Sequence, residues 1–79
     1  MLTDAQLDLI ISKIDKRELS RIPNNLRRFV DSLNYGDTLD RHKEKVKKLK
    51  ASKIIYFEKH WVRWVLNRSY LKKKGVIEF

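Results

Sequence analysis

The chain has 79 residues, with 19 Lys or Arg against 10 Asp or Glu and a formal charge of +9. That length suits one domain with a thin core, burying about 60–65% of its unfolded surface, and argues against a large enzyme fold with a walled-in active site. Leu, Ile, Val and Phe supply 25 residues, above the level of a disordered chain, and there is no Cys for disulfides or thiolate chemistry.

The first predicted element is a helix over about residues 4–17. Thr3 is its N-cap and Gln6, three residues on, completes a Thr-x-x-Gln capping box. Leu2 and Leu7 form a hydrophobic staple across that start. Leu7, Ile10, Ile11 and Ile14 make one buried stripe, with Asp4 in the first turn and Lys16 and Arg17 in the last.

Pro23 starts a second helix, since proline suits a first turn. Leu26, Phe29, Val30 and Leu33 repeat the stripe, and Asn34-Tyr35-Gly36 end it. Asp37 then caps a third helix whose apolar line is Leu39, Val46 and Leu49, with His42 on it. The rest of that cylinder is charged, with seven Lys or Arg against one Glu in residues 41–53.

From Ser52 the pattern changes. Ile54, Ile55, Tyr56 and Phe57 favour a strand, yet no Gly or Pro falls between Gly36 and Gly75. Two readings compete: a short strand or bend near 53–57 followed by a helix over about 58–73, or one helix running from 38 to 73. A helix that long is unusual in a small domain, so a break near Ala51–Lys53 is preferred. Gly75 closes the last helix, and Val76, Ile77 and Phe79 form an extended apolar tail.

The expected fold is mainly α, a small single-domain bundle of three to four helices. Its finer forms are helix-turn-helix or winged-helix-like, with a minor extended segment. Residues 1–79 make one domain, 1–36 as scaffold helices and 37–79 as basic helices with the apolar tail. The expected core is Leu7, Ile10, Ile11, Ile14, Leu26, Phe29, Val30, Leu33, Val46, Leu49, Phe57, Trp61, Val65 and Leu71.

Charge is uneven along this plan. Residues 1–40 hold 6 basic and 7 acidic residues, a sum of −1, and residues 41–79 hold 13 and 3, a sum of +10. So one-sided a charge concerns partners rather than fold. The third helix, entered by a short turn, has the layout of a helix-turn-helix, with Asp37, Thr38, Arg41, His42 and Lys45 near its leading end and Lys48 beyond. Arg can read guanine edges, while Lys mainly meets phosphate. The last helix is a rival site, with Arg63, Asn67, Arg68, Lys72, Lys73 and Lys74 among Trp61, Trp64 and Tyr70.

The run Asn67-Arg68-Ser69-Tyr70-Leu71-Lys72-Lys73-Lys74-Gly75-Val76-Ile77-Glu78 resembles the end of a recognition helix entering the first wing strand of winged-helix DNA-binding domains. That resemblance covers about a dozen residues and implies nucleic-acid binding. The pattern's second wing strand has no counterpart before Phe79.

Trp61 and Trp64, three apart, lie on one helix face with Phe57 and Val65. Core or partner packing is their ordinary role, and a homodimer through that face fits the pattern. Aromatics among cations also form stacking platforms for unpaired bases. Membrane association is not expected: the apolar runs are too short to span, and no signal-peptide pattern opens the chain.

Catalysis has little support. His42 and His60 have no metal-ligand spacing, and no Gly-rich phosphate loop occurs, so neither metal nor cofactor is expected. The function expected is a non-enzymatic nucleic-acid-binding module, DNA before RNA, acting as a small regulatory or accessory protein. The alternative is an inhibitor or adaptor that docks its basic face on an acidic protein surface. A cytoplasmic setting, or the nucleus or a host cytoplasm, fits the lack of Cys, and secretion does not.

Overall fold

The computed structural model describes residues 2–35 and 42–79. Helix α1, Asp4–Asp15, opens on the capping box. The Thr3 N–H donates to Gln6 Oε1 at 3.0 Å and the Gln6 N–H to Thr3 Oγ1 at 3.1 Å. Leu2 and Leu7 are both buried beneath this start.

The end of α1 comes two residues earlier than the sequence suggests. Arg17 adopts φ 61°, in the left-handed region. Its N–H donates to the Ile14 carbonyl at 3.0 Å, and the Glu18 N–H to the Lys13 carbonyl at 2.8 Å. That bond pair is a Schellman motif, which satisfies the orphan carbonyls of a helix end.

Helix α2, Asn24–Asn34, follows Pro23 and buries Leu26, Phe29, Val30 and Leu33. The segment before it pairs with the C-terminal segment. The Ile22 N–H donates to the Glu78 carbonyl at 3.0 Å, and the N–H groups of Ile77 and Glu78 both reach the Ser20 carbonyl. Of the expected apolar tail, Val76 is fully buried, Phe79 packs on the core, and Ile77 is exposed.

Helix α3, Lys43–Ala51, buries Val46 and Leu49. Its stop needs no glycine. Lys53 takes φ 64°, its N–H meets the Lys50 carbonyl at 3.1 Å, and the Ile54 N–H meets the Leu49 carbonyl at 3.1 Å. This second Schellman motif places the preferred break at Ala51–Lys53, and burial of Ile54 beside Leu49 holds it. Expectations for Gly36, Asp37, Thr38, Leu39 and Arg41 lie outside the described residues.

No helix covers residues 58–66. Strands β1, Ile55–Glu58, and β2, Arg63–Leu66, form an antiparallel hairpin closed by Lys59–Val62. The pairs Ile55–Leu66 and Phe57–Trp64 share one face, and Tyr56–Val65 and Glu58–Arg63 the other. A short helix α4, Arg68–Lys73, follows with Asn67 as N-cap, and Gly75 at φ 88° ends it in a third Schellman motif.

The mainly α bundle is therefore corrected to a mixed fold: among the described residues, four helices and one two-stranded antiparallel sheet. Helix-turn-helix and winged-helix-like refinements fall with it. The run likened to a recognition helix entering a wing strand is instead the short α4 followed by the Gly75 turn and the Arg21–Glu78 bridge. The hairpin comes before that run, where alternating residues can bury one face and wet the other.

Both halves of the chain build one core, from Leu2, Leu7, Ile10 and Ile14 through Leu26 and Phe29 to Leu49, Ile54, Ile55, Trp64, Leu71 and Val76. Three expected core members are elsewhere: Phe57 and Trp61 are exposed and Val65 is half-buried, because strand alternation and the hairpin tip replace helical spacing.

Candidate nucleic-acid interface

Residues three and four apart share a helix face, so the nine residues of α3 divide into stripes. His42, Val46 and Leu49 point inward. His42, just before the helix, is buried, with its ring edge-on to Phe29 at 5.1 Å between centroids.

Lys45 and Lys48 turn toward α1. Lys45 Nζ lies 3.7 Å from Asp4 Oδ1, and Lys48 Nζ lies 3.1 Å from Asp8 Oδ1. Farther along the same helix, Asp15 Oδ1 takes Lys74 Nζ at 3.4 Å. Asp4, Asp8 and Asp15 thus form an acidic line on α1 that occupies three lysines of the basic half. Such pairs near water contribute little stability. Their larger effect is to reduce the positive field on that side.

Lys43, Lys47 and Lys50 form the remaining stripe at spacings of four and three. All three are exposed, and no carboxylate pairs with them among the described residues. At 1.5 Å rise per residue they span about 10 Å. Along the DNA axis each strand carries one phosphate per about 3.4 Å, so a stripe of that length is on the scale of a few backbone charges. Just past the helix, Lys53 is exposed as well.

The other expected site residues scatter. Arg63 faces Glu58 across the hairpin at 3.9 Å. Asn67 is a structural cap, its side-chain oxygen accepting the Tyr70 N–H at 3.3 Å. Arg68 lies over the Phe79 ring at 5.4 Å. Lys72 and Lys73 are exposed at the end of α4. Arg27, Arg63 and Arg68 line a groove between α2, β2 and α4, but Asp31 and Glu58 line it too, so its charge is mixed.

The expected two-Trp helix face does not form. Trp64 is 9% exposed, edge-on to Phe57 at 5.3 Å, whereas Trp61 is 64% exposed at the hairpin tip. A pair facing one partner from a helix is replaced by one anchor and one projecting ring.

Nothing in the sequence pattern separates Lys43, Lys47 and Lys50 from Lys45 and Lys48. The missing information is the position of α1. The spacing of Asp4, Asp8 and Asp15 along one side of α1 was the available hint.

No group of three or more His, Asp or Glu among the described residues could hold a metal ion. No helix among them is long and apolar enough to cross a membrane. In comparisons with known proteins, the chain matches no family model, no curated protein and no solved structure.

Proposed function

We propose that the protein is a non-enzymatic nucleic-acid-binding module, acting as a small regulatory or accessory protein on duplex DNA in the cytoplasm or nucleus. The observation that carries the reading is the exposed Lys43–Lys47–Lys50 stripe beside a helix flank whose lysines already face carboxylates. Three exposed ammonium groups in one stripe suit a phosphate backbone, and Lys contacts of that kind are sequence-independent. Lys53, Lys72 and Lys73 add to the long-range field that draws a polyanion in.

Lys45 and Lys48, and Asn67 with its capping duty, move to supporting positions in this reading. Arg68, Lys72 and Lys73 remain candidates for peripheral phosphate contacts.

The test is a salt titration of binding to a random-sequence duplex. Binding at low salt that weakens steeply and log-linearly as salt rises supports the reading. No measurable binding at low salt removes it. In that case, tight one-to-one association with an acidic protein would identify the adaptor or inhibitor class instead.

A further inference from the structure

The hairpin tip is unused by the core and by the lysine stripe. Its loop, Lys59-His60-Trp61-Val62, carries a positive charge, an imidazole and two exposed apolar side chains. Trp61 is 64% exposed, and the His60 ring stands perpendicular to it with centroids 4.8 Å apart. Val62 adopts φ 53°, a left-handed conformation that strains a β-branched residue. Such outliers persist where the surroundings hold them, and they cluster at binding sites.

The base of the loop is tied to the body. There Arg63 pairs with Glu58 across the strands, and Trp64 is fastened to α2 through Asn34. The hairpin starts four residues after the end of α3. Its strands carry the tip about 13 Å from that root at 3.3 Å per residue.

We infer that Trp61 is a stacking platform for an unpaired base, so the preferred ligand is a duplex with a single-stranded extension. This deepens the phosphate-binding reading and rests on it. An indole offers a flat face to any base, and stacking of this kind is tolerant of sequence. Charge selects the partner. The loop itself has no carboxylate, and Lys59 precedes the ring as its charged neighbour, while Arg63 at the base already faces Glu58; the remaining positive charge favours a polyanion whose neutral rings can leave the backbone.

The experiment uses the full chain and anisotropy titrations at low salt. The probes are a blunt duplex and the same duplex with a short 3′ or 5′ single-stranded extension. The wild type should prefer at least one extended duplex by about 5-fold or more. Trp61→Ala should abolish the preference while keeping blunt-duplex affinity within about 2-fold, since stacking alone is lost. Trp61→Phe should retain most of the preference, and Trp64 emission in both variants reports that the fold is intact.

Equal wild-type affinities for blunt and extended duplexes would overturn this inference and leave the phosphate reading standing. So would a preference that survives Trp61→Ala. Loss of binding to every probe would overturn the phosphate reading itself. A Trp61-dependent blue shift on phosphatidylserine vesicles, with no preference among the nucleic acids, would assign the tip to membranes and also overturn it.

Discussion

The side-chain amide of Asn34 pairs with both backbone polar groups of Trp64. The Trp64 N–H donates to Asn34 Oδ1 at 2.7 Å, and Asn34 Nδ2 donates to the Trp64 carbonyl at 2.8 Å. The last residue of α2 thus acts as a one-residue strand against the outer edge of β2. An isolated two-stranded hairpin is marginal in water, and this clamp joins it to the helices.

Asn34→Ala should therefore destabilise the fold by about 2–3 kcal/mol, since two hydrogen bonds vanish and two backbone groups lose partners. In a domain of this size that lowers Tm by about 8–24 °C. Asn34→Asp keeps an acceptor for the Trp64 N–H but loses the donor, and should fall between. Urea denaturation measures both; a loss below about 0.5 kcal/mol for the alanine variant would show that the hairpin is held by Trp64 packing alone.

Arg17 and Lys53 hold left-handed positions that glycine occupies more easily. Arg17→Gly and Lys53→Gly should each stabilise by about 0.5–1 kcal/mol, the relief of Cβ strain exceeding the entropy added to the unfolded chain. The two sites belong to different helix ends, so the double variant should be near the sum. Gly75→Ala should do the reverse, costing about 1 kcal/mol. Nothing lies within 4 Å of an added Cβ there, so backbone strain is the whole cause. Thermal unfolding followed by circular dichroism reads all of these.

Replacing Lys43, Lys47 and Lys50 by Gln should reduce the slope of log K against log salt by about 2.7, at 0.9 per phosphate contact. Lys45→Gln with Lys48→Gln should change it by less than about 1, because those ammonium groups already face Asp4 and Asp8. Equal changes in the two sets would mean that the α1 carboxylates do not partition the helix.

Asp4→Asn with Asp8→Asn tests the same partition from the acidic side. Stability should change by less than about 1 kcal/mol in total, since both carboxylates are exposed. Duplex affinity should rise by about 5-fold at low salt and converge on the wild type as salt increases, because the effect is a screened field. An unchanged affinity would remove α1 as a modulator of the basic surface.

Local signals were legible. The Thr3–Gln6 capping box, the Leu7–Ile14 stripe, the α2 stripe from Leu26 to Leu33 and the break near Ala51 all rest on neighbours within a turn or two. The hairpin was legible only in its first strand, which the reading of a short strand or bend near 53–57 overlaps; its turn and return strand were not. Its alternation, Ile55 and Phe57 against Tyr56 and Glu58, is only four residues long. The closing loop Lys59–Val62 lacks the Gly, Asn, Asp or Pro that would announce a turn. Helical spacing then suggested one face for Trp61 and Trp64, where the pleat buries one and the tip exposes the other.

By itself the sequence determined the start and inner face of the first two helices and a surplus of positive charge after residue 40, and it left the stop of the third between two readings. What it determined follows from side-chain periodicity, from capping chemistry or from composition. Which lysines stand open to a polyanion was decided by the tertiary structure. The acidic line of α1 packs along one flank of α3, and Coulomb interactions at 3–4 Å oppose charges there while leaving the far flank to solvent. Spacing along a chain defines a helix face, and only the neighbouring helix sets what that face meets.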